Sequence, residues 1–131
     1  MEEEVKKEPF GYLMTIDLYG CKEGVCDDIS LCYKFLDEIV TELGMKKQAP
    51  PFIFKSDEIL YPDKAGLSGW VPLIESGVQM HTLTPKNFIS IDVYSCRKFE
   101  PKHMDKFIED YFSPKNVEVN FIERGVKYNE E

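Results

Sequence analysis

The stretch Phe10-Gly11-Tyr12-Leu13-Met14-Thr15-Ile16-Asp17-Leu18-Tyr19-Gly20 decides the fold class. Tyr12, Met14, Ile16 and Leu18 fall on one side, and Leu13, Thr15, Asp17 and Tyr19 on the other. That two-residue period belongs to a strand with one face in a core. Gly20 ends it. Phe88 to Cys96 repeats the pattern, with Ile89, Ile91 and Val93 opposite Ser90, Asp92, Tyr94 and Cys96. The second set is too polar for a sheet covered on both faces.

Between and after these strands the period changes. Ile29, Cys32, Tyr33, Leu36, Ile39, Val40 and Leu43 recur at helical spacing, with Asp27 and Asp28 available to cap the start and Gly44 to end the helix. Pro50-Pro51 prevents continuation, Phe52-Ile53-Phe54 reads as a short strand, and residues 55–67 read as an irregular loop. Trp70–Ile74 and Val78–Thr82 read as two strands meeting at a turn made by Glu75-Ser76-Gly77. Pro101 suits the first turn of a second helix carrying Met104, Phe107, Ile108 and Tyr111. Val117, Val119 and Phe121 form a last strand, and the tail after Tyr128 is expected to be loose. The order predicts an α+β two-layer sandwich, a mostly antiparallel sheet with two helices on one face.

At 131 residues, with 43% hydrophobic and 31% charged side chains, the chain has the size and composition of one globular domain spanning residues 1–131. Sixteen basic against twenty-four acidic residues leave a net charge of −8. That balance lacks the basic footprint of a nucleic-acid or anionic-membrane binder and tolerates a small cationic ligand. No apolar run approaches the roughly 18–20 residues of a membrane span, and Met1–Lys7 lacks the order of a secretion signal. The reading is cytoplasmic, with Cys21, Cys26, Cys32 and Cys96 as free thiols.

Few residues suggest chemistry by themselves. The Cys21, Cys26 and Cys32 spacing is not that of a metal knuckle, and Cys32 lies on the apolar stripe of the first helix, so no metal site is expected. His81 lies in a strand and needs partners to act, His103 opens the second helix and is read as idle, and Glu75-Ser76-Gly77 alone is an ordinary turn.

Taken together, four segments resemble one family in order and spacing: Gly66-Leu67-Ser68-Gly69, Ile74-Glu75-Ser76, His81-Thr82 and Asp92-Val93-Tyr94-Ser95-Cys96. They are similar to the core of the prokaryotic S-adenosylmethionine decarboxylase proenzymes, over about residues 11–121, and Leu18-Tyr19-Gly20-Cys21 resembles the end of their first strand. The resemblance implies a zymogen that cuts itself between Glu75 and Ser76. The Ser76 hydroxyl attacks the Glu75 carbonyl, the resulting ester eliminates to dehydroalanine, and hydrolysis releases ammonia and leaves a pyruvoyl group. That covalent cofactor forms a Schiff base with the substrate amine and accepts the electrons of decarboxylation. The resemblance further implies Cys96 as the proton donor in catalysis, His81 as the proton acceptor in processing, and Ser68 as its support.

The implied function is a lyase making the decarboxylated aminopropyl donor for polyamine and spermidine synthesis, working as a homodimer or higher homo-oligomer. The chain departs from the family at Gly77, where a histidine is usual, at Leu83-Thr84-Pro85, where Trp-Pro-Glu is usual, and at Tyr61-Pro62, where a loop aromatic is expected. These changes concern the nucleoside pocket. They open two alternatives: a pyruvoyl-dependent decarboxylase of arginine or ornithine, and an unprocessed paralogue acting as a binding or regulatory protein.

Overall fold

A computed structural model describes residues 7–130; the Met1–Lys6 part of the leader reading lies outside the described residues. In chain order the elements are β1 (Gly11–Tyr19), α1 (Ile29–Glu42), β2 (Phe52–Lys55), β3 (Leu67–Leu73), β4 (Ser76–Leu83), β5 (Phe88–Ser95), α2 (Pro101–Phe112) and β6 (Asn116–Arg124). The strands form one sheet in the order β2-β3-β4-β5-β1-β6, and every pairing is antiparallel. This is the expected α+β sandwich, with its sheet wholly rather than mostly antiparallel.

Alternation sorts the side chains as the sequence predicts. Met14, Ile16 and Leu18 of β1, Val78 and Met80 of β4, and Ile89, Ile91 and Val93 of β5 are buried in one core with the helices. Helix α1 contributes Cys32, Phe35, Leu36, Ile39 and Val40, and α2 contributes Met104, Ile108 and Phe112. Phe35 ties the helices together, its ring meeting that of Phe112 edge-on at 5.0 Å. Among the described residues the opposite sheet face carries no helix.

Local chemistry sets the helix ends. The Asp28 carboxylate accepts the Leu31 N–H at 3.0 Å, a side-chain N-cap. At the other end Gly44, at φ +68°, donates to the Thr41 carbonyl while Met45 donates to that of Val40, the paired bonds of a Schellman stop. Pro101 opens α2, where its missing N–H has no helical partner to lose.

Four expectations need correction. Strand β3 begins at Leu67 rather than Trp70, because Leu67 to Gly69 already pair with β2. Ser76 and Gly77 do not form the turn but begin β4, because Leu73 pairs with Ser76 and leaves only Ile74 and Glu75 as the loop. Strand β6 runs beyond Phe121 to Arg124, since β1 offers partners along its whole length. Asn129, just after Tyr128, is tied down: the Tyr128 ring meets Phe10 at 4.8 Å and the Asn129 amide donates to the Glu8 carbonyl at 2.8 Å. Among the described residues no helix is long and apolar enough to cross a membrane.

Candidate active site

The β3–β4 loop presents the serine. Glu75 is left-handed, with φ +61°, a region that costs a residue with a Cβ about 1–2 kcal/mol. Its carbonyl leads directly into Ser76. The Ser76 Oγ accepts the backbone N–H of Cys96 at 2.8 Å, so the start of β4 and the end of β5 are joined through the side chain. Cys96 is half-buried, whereas Cys21, Cys26 and Cys32 are buried; all four are free thiols. Burial, reinforced by Cys26 and Asp28, pushes the Cys32 thiol up to about 12. Cys21 is also raised, first through its hydrogen bond with Cys26 and then by burial. A raised thiol holds little thiolate at neutral pH, and both groups belong to the core.

Ser76 borders an open cavity of about 610 Å³ on the uncovered sheet face, with Trp70, Gly77, Gln79, Asp92 and Tyr94 on its walls. Glu75 and Arg124 stand at the same cavity, the guanidinium lying 5.2 Å from the centre of the Tyr94 ring. Both signs of charge therefore border the cavity that Ser76 lines.

His81 and Ser68 form a second group. They are cross-strand partners on β4 and β3, with Ser68 Oγ 3.0 Å from His81 Nδ1, and both are exposed. Behind them Thr82 is buried: its Oγ1 accepts the Leu67 N–H at 2.8 Å and donates to the Cys26 carbonyl at 2.6 Å. One hydroxyl thus fixes β3 beside Ser68, β4 beside His81, and the turn after β1. Gly66 permits that approach, since a Cβ there would overlap the Thr82 carbonyl oxygen.

The structure brings Ser76 to Cys96 and Ser68 to His81, but it does not bring the two pairs together. Ser76 and His81 stand five residues apart on the same extended strand, about 16 Å at the usual strand rise. Two of the three departures from the family pattern lie at the His81 end, and the third, Gly77, adjoins Ser76. Leu83 closes β4, Thr84-Pro85 form a short turn, and the Thr84 N–H donates to Ala65, just after the turn that holds Pro62. His103 lies elsewhere, with Nε2 2.9 Å from a Glu42 carboxylate oxygen.

The S-adenosylmethionine decarboxylase family pattern matches residues 12–125. The chain belongs to that family. It is 28% identical over 116 residues to the S-adenosylmethionine decarboxylase proenzyme of Clostridium botulinum strain Hall, covering 88% of this chain and 94% of that one. Against the proenzyme of the same name from Pyrococcus furiosus it is 26% identical over 122 residues, covering 92% and 82%. In three dimensions it is similar to the crystal structure of the adenosylmethionine decarboxylase from Aquifex aeolicus VF5, with a TM-score of 0.76, 20% identity, and 95% and 98% of the two chains covered. That last likeness concerns the fold. The expected α+β sandwich and the resemblance read from the motifs are both borne out.

Sequence reading did not single out Trp70, Gln79 and Arg124 as site residues. A signal for the first was available: Ser68, Trp70 and Pro72 alternate with Leu67, Val71 and Leu73, which places a lone tryptophan on the face opposite the core.

Proposed function

We propose that this chain is a self-processing proenzyme that cuts itself between Glu75 and Ser76, carries a pyruvoyl group at position 76, and decarboxylates S-adenosylmethionine to the aminopropyl donor of spermidine synthesis. The observation that carries the reading is the 2.8 Å bond from the Cys96 N–H to Ser76 Oγ, with Ser76 on the wall of the sheet-face cavity. It sets the thiol-bearing residue beside the serine.

The residues present fit the group. Ser76 follows a left-handed Glu75, and its Oγ is the atom that must reach the Glu75 carbonyl carbon for the acyl shift. Strain at the residue before the serine favours a step that breaks this peptide bond. A pyruvoyl group supplies the electron sink for loss of carbon dioxide. Cys96 Sγ holds the proton that the substrate carbon receives, and Asp92 and Arg124 offer partners to a group carrying both charges.

The Ser68–His81 pair enters this reading through a second copy. His81 as proton acceptor for Ser76 needs hydrogen-bond reach, which the separation along β4 denies within one chain. A two-fold pairing of the uncovered sheet faces would lay Ser68 and His81 of one copy over Ser76 of the other, twice per dimer. The exposed Ile122, cross-strand from Leu13 on that face, gives such a homodimer apolar surface to bury. Four free thiols suit a reducing compartment, which supports a cytoplasmic enzyme.

The test is an intact mass spectrum of the wild type and of Ser76→Ala, followed by carbon dioxide release from S-adenosylmethionine, arginine and ornithine. Two fragments divided at Glu75/Ser76, absent in the variant, with release from S-adenosylmethionine, are expected. Release from arginine or ornithine instead would reassign the substrate. A single intact 15.2 kDa chain without activity would leave the binding-protein reading.

A further inference from the structure

Trp70 stands between two cavities. It borders the one around Ser76, and with Phe52, Phe54 and the Ser68–His81 pair it also lines an apolar cavity of about 300 Å³. Gln79, its cross-strand partner on β4, touches both. The chain contains one tryptophan, and 48% of it is exposed, so core packing does not account for it.

Two neighbours fix the indole. Phe52 is its partner on β2, with ring centres 5.8 Å apart and planes at 21°. On the other side the indole leans diagonally over β4, where a Cβ added at Gly77 would meet Trp70 Nε1 at 3.3 Å and Cδ1 at 4.0 Å. Gly77 does not have a positive φ, so its contribution here is space rather than backbone freedom. A Cβ at 77 would press on the indole at 70 and displace it by a few tenths of an ångström.

We infer that Trp70 is a specificity-determining residue of the Ser76 site, placed by the missing side chain at Gly77, and that it receives the flat, uncharged end of the substrate. This rests on the function proposed above and names what takes over at its nucleoside end. The Ser76 cavity holds the Glu75 and Asp92 carboxylates and the Arg124 guanidinium, which suit a group bearing an amine and a carboxylate. The Phe52–Trp70 cavity is lined by no carboxylate, guanidinium or ammonium group, and His81 brings its one imidazole. A guanidinium or alkylammonium entering it would lose water without gaining a counter-charge. A heteroaromatic ring would stack on the indole and keep its polar edge toward Ser68 and Gln79. Gln79 lies three residues from Ser76 on β4, about 10 Å at the strand rise. That span suits an amino-acid end at Ser76 and a ring across Trp70.

Because Trp70 is the only tryptophan, its emission reads this subsite without any chemistry at Ser76. The probe is 5′-methylthioadenosine, a nucleoside thioether with no amino-acid group, titrated into uncleaved Ser76→Ala protein. A saturable change in emission is expected, and none with arginine at the same concentrations. Gly77→Ala should shift the emission maximum of the free protein and weaken probe binding about tenfold, the size of one lost ring contact. Phe52→Leu, which leaves Gly77 and its backbone untouched, should weaken it similarly with circular dichroism unchanged. In the cleaved enzyme Trp70→Leu should raise KM for S-adenosylmethionine about tenfold with kcat within about twofold.

Emission indifferent to the probe, an equal response to arginine, or full-affinity binding in both Gly77→Ala and Phe52→Leu overturns the assignment. The two readings fail separately. A saturable response in a wild-type protein that never cleaves itself keeps the subsite and removes the reaction. No response in a protein that cleaves and releases carbon dioxide keeps the reaction and removes the subsite.

Discussion

Ser76 and Cys96 are joined by a 2.8 Å hydrogen bond from the backbone N–H of Cys96 to the Ser76 hydroxyl oxygen. The bond uses the backbone of Cys96 and leaves its thiol free, so it holds the residue in place without occupying Sγ. It also pins the side chain that begins β4 against the end of β5, the neighbouring strand. Placement and chemistry are therefore separable at position 96.

Cys96→Ala tests that separation. The main-chain N–H that Ser76 accepts survives the substitution, so cleavage at Glu75/Ser76 should proceed to completion. Turnover should fall by about 10²–10⁴, the usual contribution of a positioned proton donor. Mass spectrometry reads the first effect and carbon dioxide release the second. Loss of cleavage together with turnover would mean that the thiol acts in processing as well.

Glu75 offers a test of strain. Glycine adopts the left-handed region without the Cβ penalty, so Glu75→Gly should stabilise the uncleaved fold by about 1 kcal/mol. Since the relief falls at the residue whose carbonyl Ser76 must attack, self-cleavage should slow several-fold. The half-life of intact precursor after refolding measures it, and unchanged cleavage in a more stable protein would show that the strain is not used.

The sequence made the sheet legible because its central strands alternate; β1 and β5 bury one set of side chains and leave the other mostly half-buried. The α1 stop was equally readable, since Gly44 meets a backbone requirement that few other residues can. The turn was not, because Glu75-Ser76-Gly77 has turn composition while strand pairing from Leu73 to Ser76 overrides it. The motifs named Ser68, Ser76, His81 and Cys96 but not how they group. A resemblance orders residues along the chain, whereas a strand keeps Ser76 and His81 at its opposite ends. Trp70 escaped because its meaning depends on an absent atom at Gly77.

Thr82 is the internal support of the Ser68–His81 pair. Thr82→Val keeps the shape but leaves the Leu67 N–H without its acceptor and the Cys26 carbonyl without its donor. Each unsatisfied buried group costs about 1–3 kcal/mol, so thermal stability should drop by several degrees. Thr82→Ser, which retains the hydroxyl, should recover most of the loss. Equal denaturation midpoints for Thr82→Val and the wild type would remove the support role.

Glu109 on α2 gives a pH dependence with a defined sign. Its hydrogen bond with Asp105 one turn earlier, then burial, then the Asp105 charge raise its carboxyl to about 6 from 4.5. The folded state therefore binds this proton more tightly than the unfolded state, and the associated stability is present below the unfolded value and lost as pH rises through about 6. Glu109→Gln, which mimics the protonated donor, should raise the thermal midpoint at about pH 8 and leave it unchanged near pH 4. A variant destabilised at about pH 8 would show that the charged form is favoured instead.

The separation of Ser76 from His81 on one strand makes the last prediction a matter of counting chains. Ser76→Ala supplies His81 but no cleavable serine, and His81→Ala supplies the serine but no acceptor, so each variant alone should remain intact. Folded together from denaturant, the two should form mixed dimers in which the serine of one chain meets the histidine of the other. With statistical pairing about half of the His81→Ala chains sit in such dimers and should be cleaved, while the Ser76→Ala chains stay whole. Isotopic labelling of one variant identifies the fragments by mass. Efficient cleavage of His81→Ala by itself would show that the histidine is not the acceptor. Failure of the mixture, with dimers seen by light scattering, would show that the uncovered sheet faces do not pair in the register that brings the two ends of β4 together.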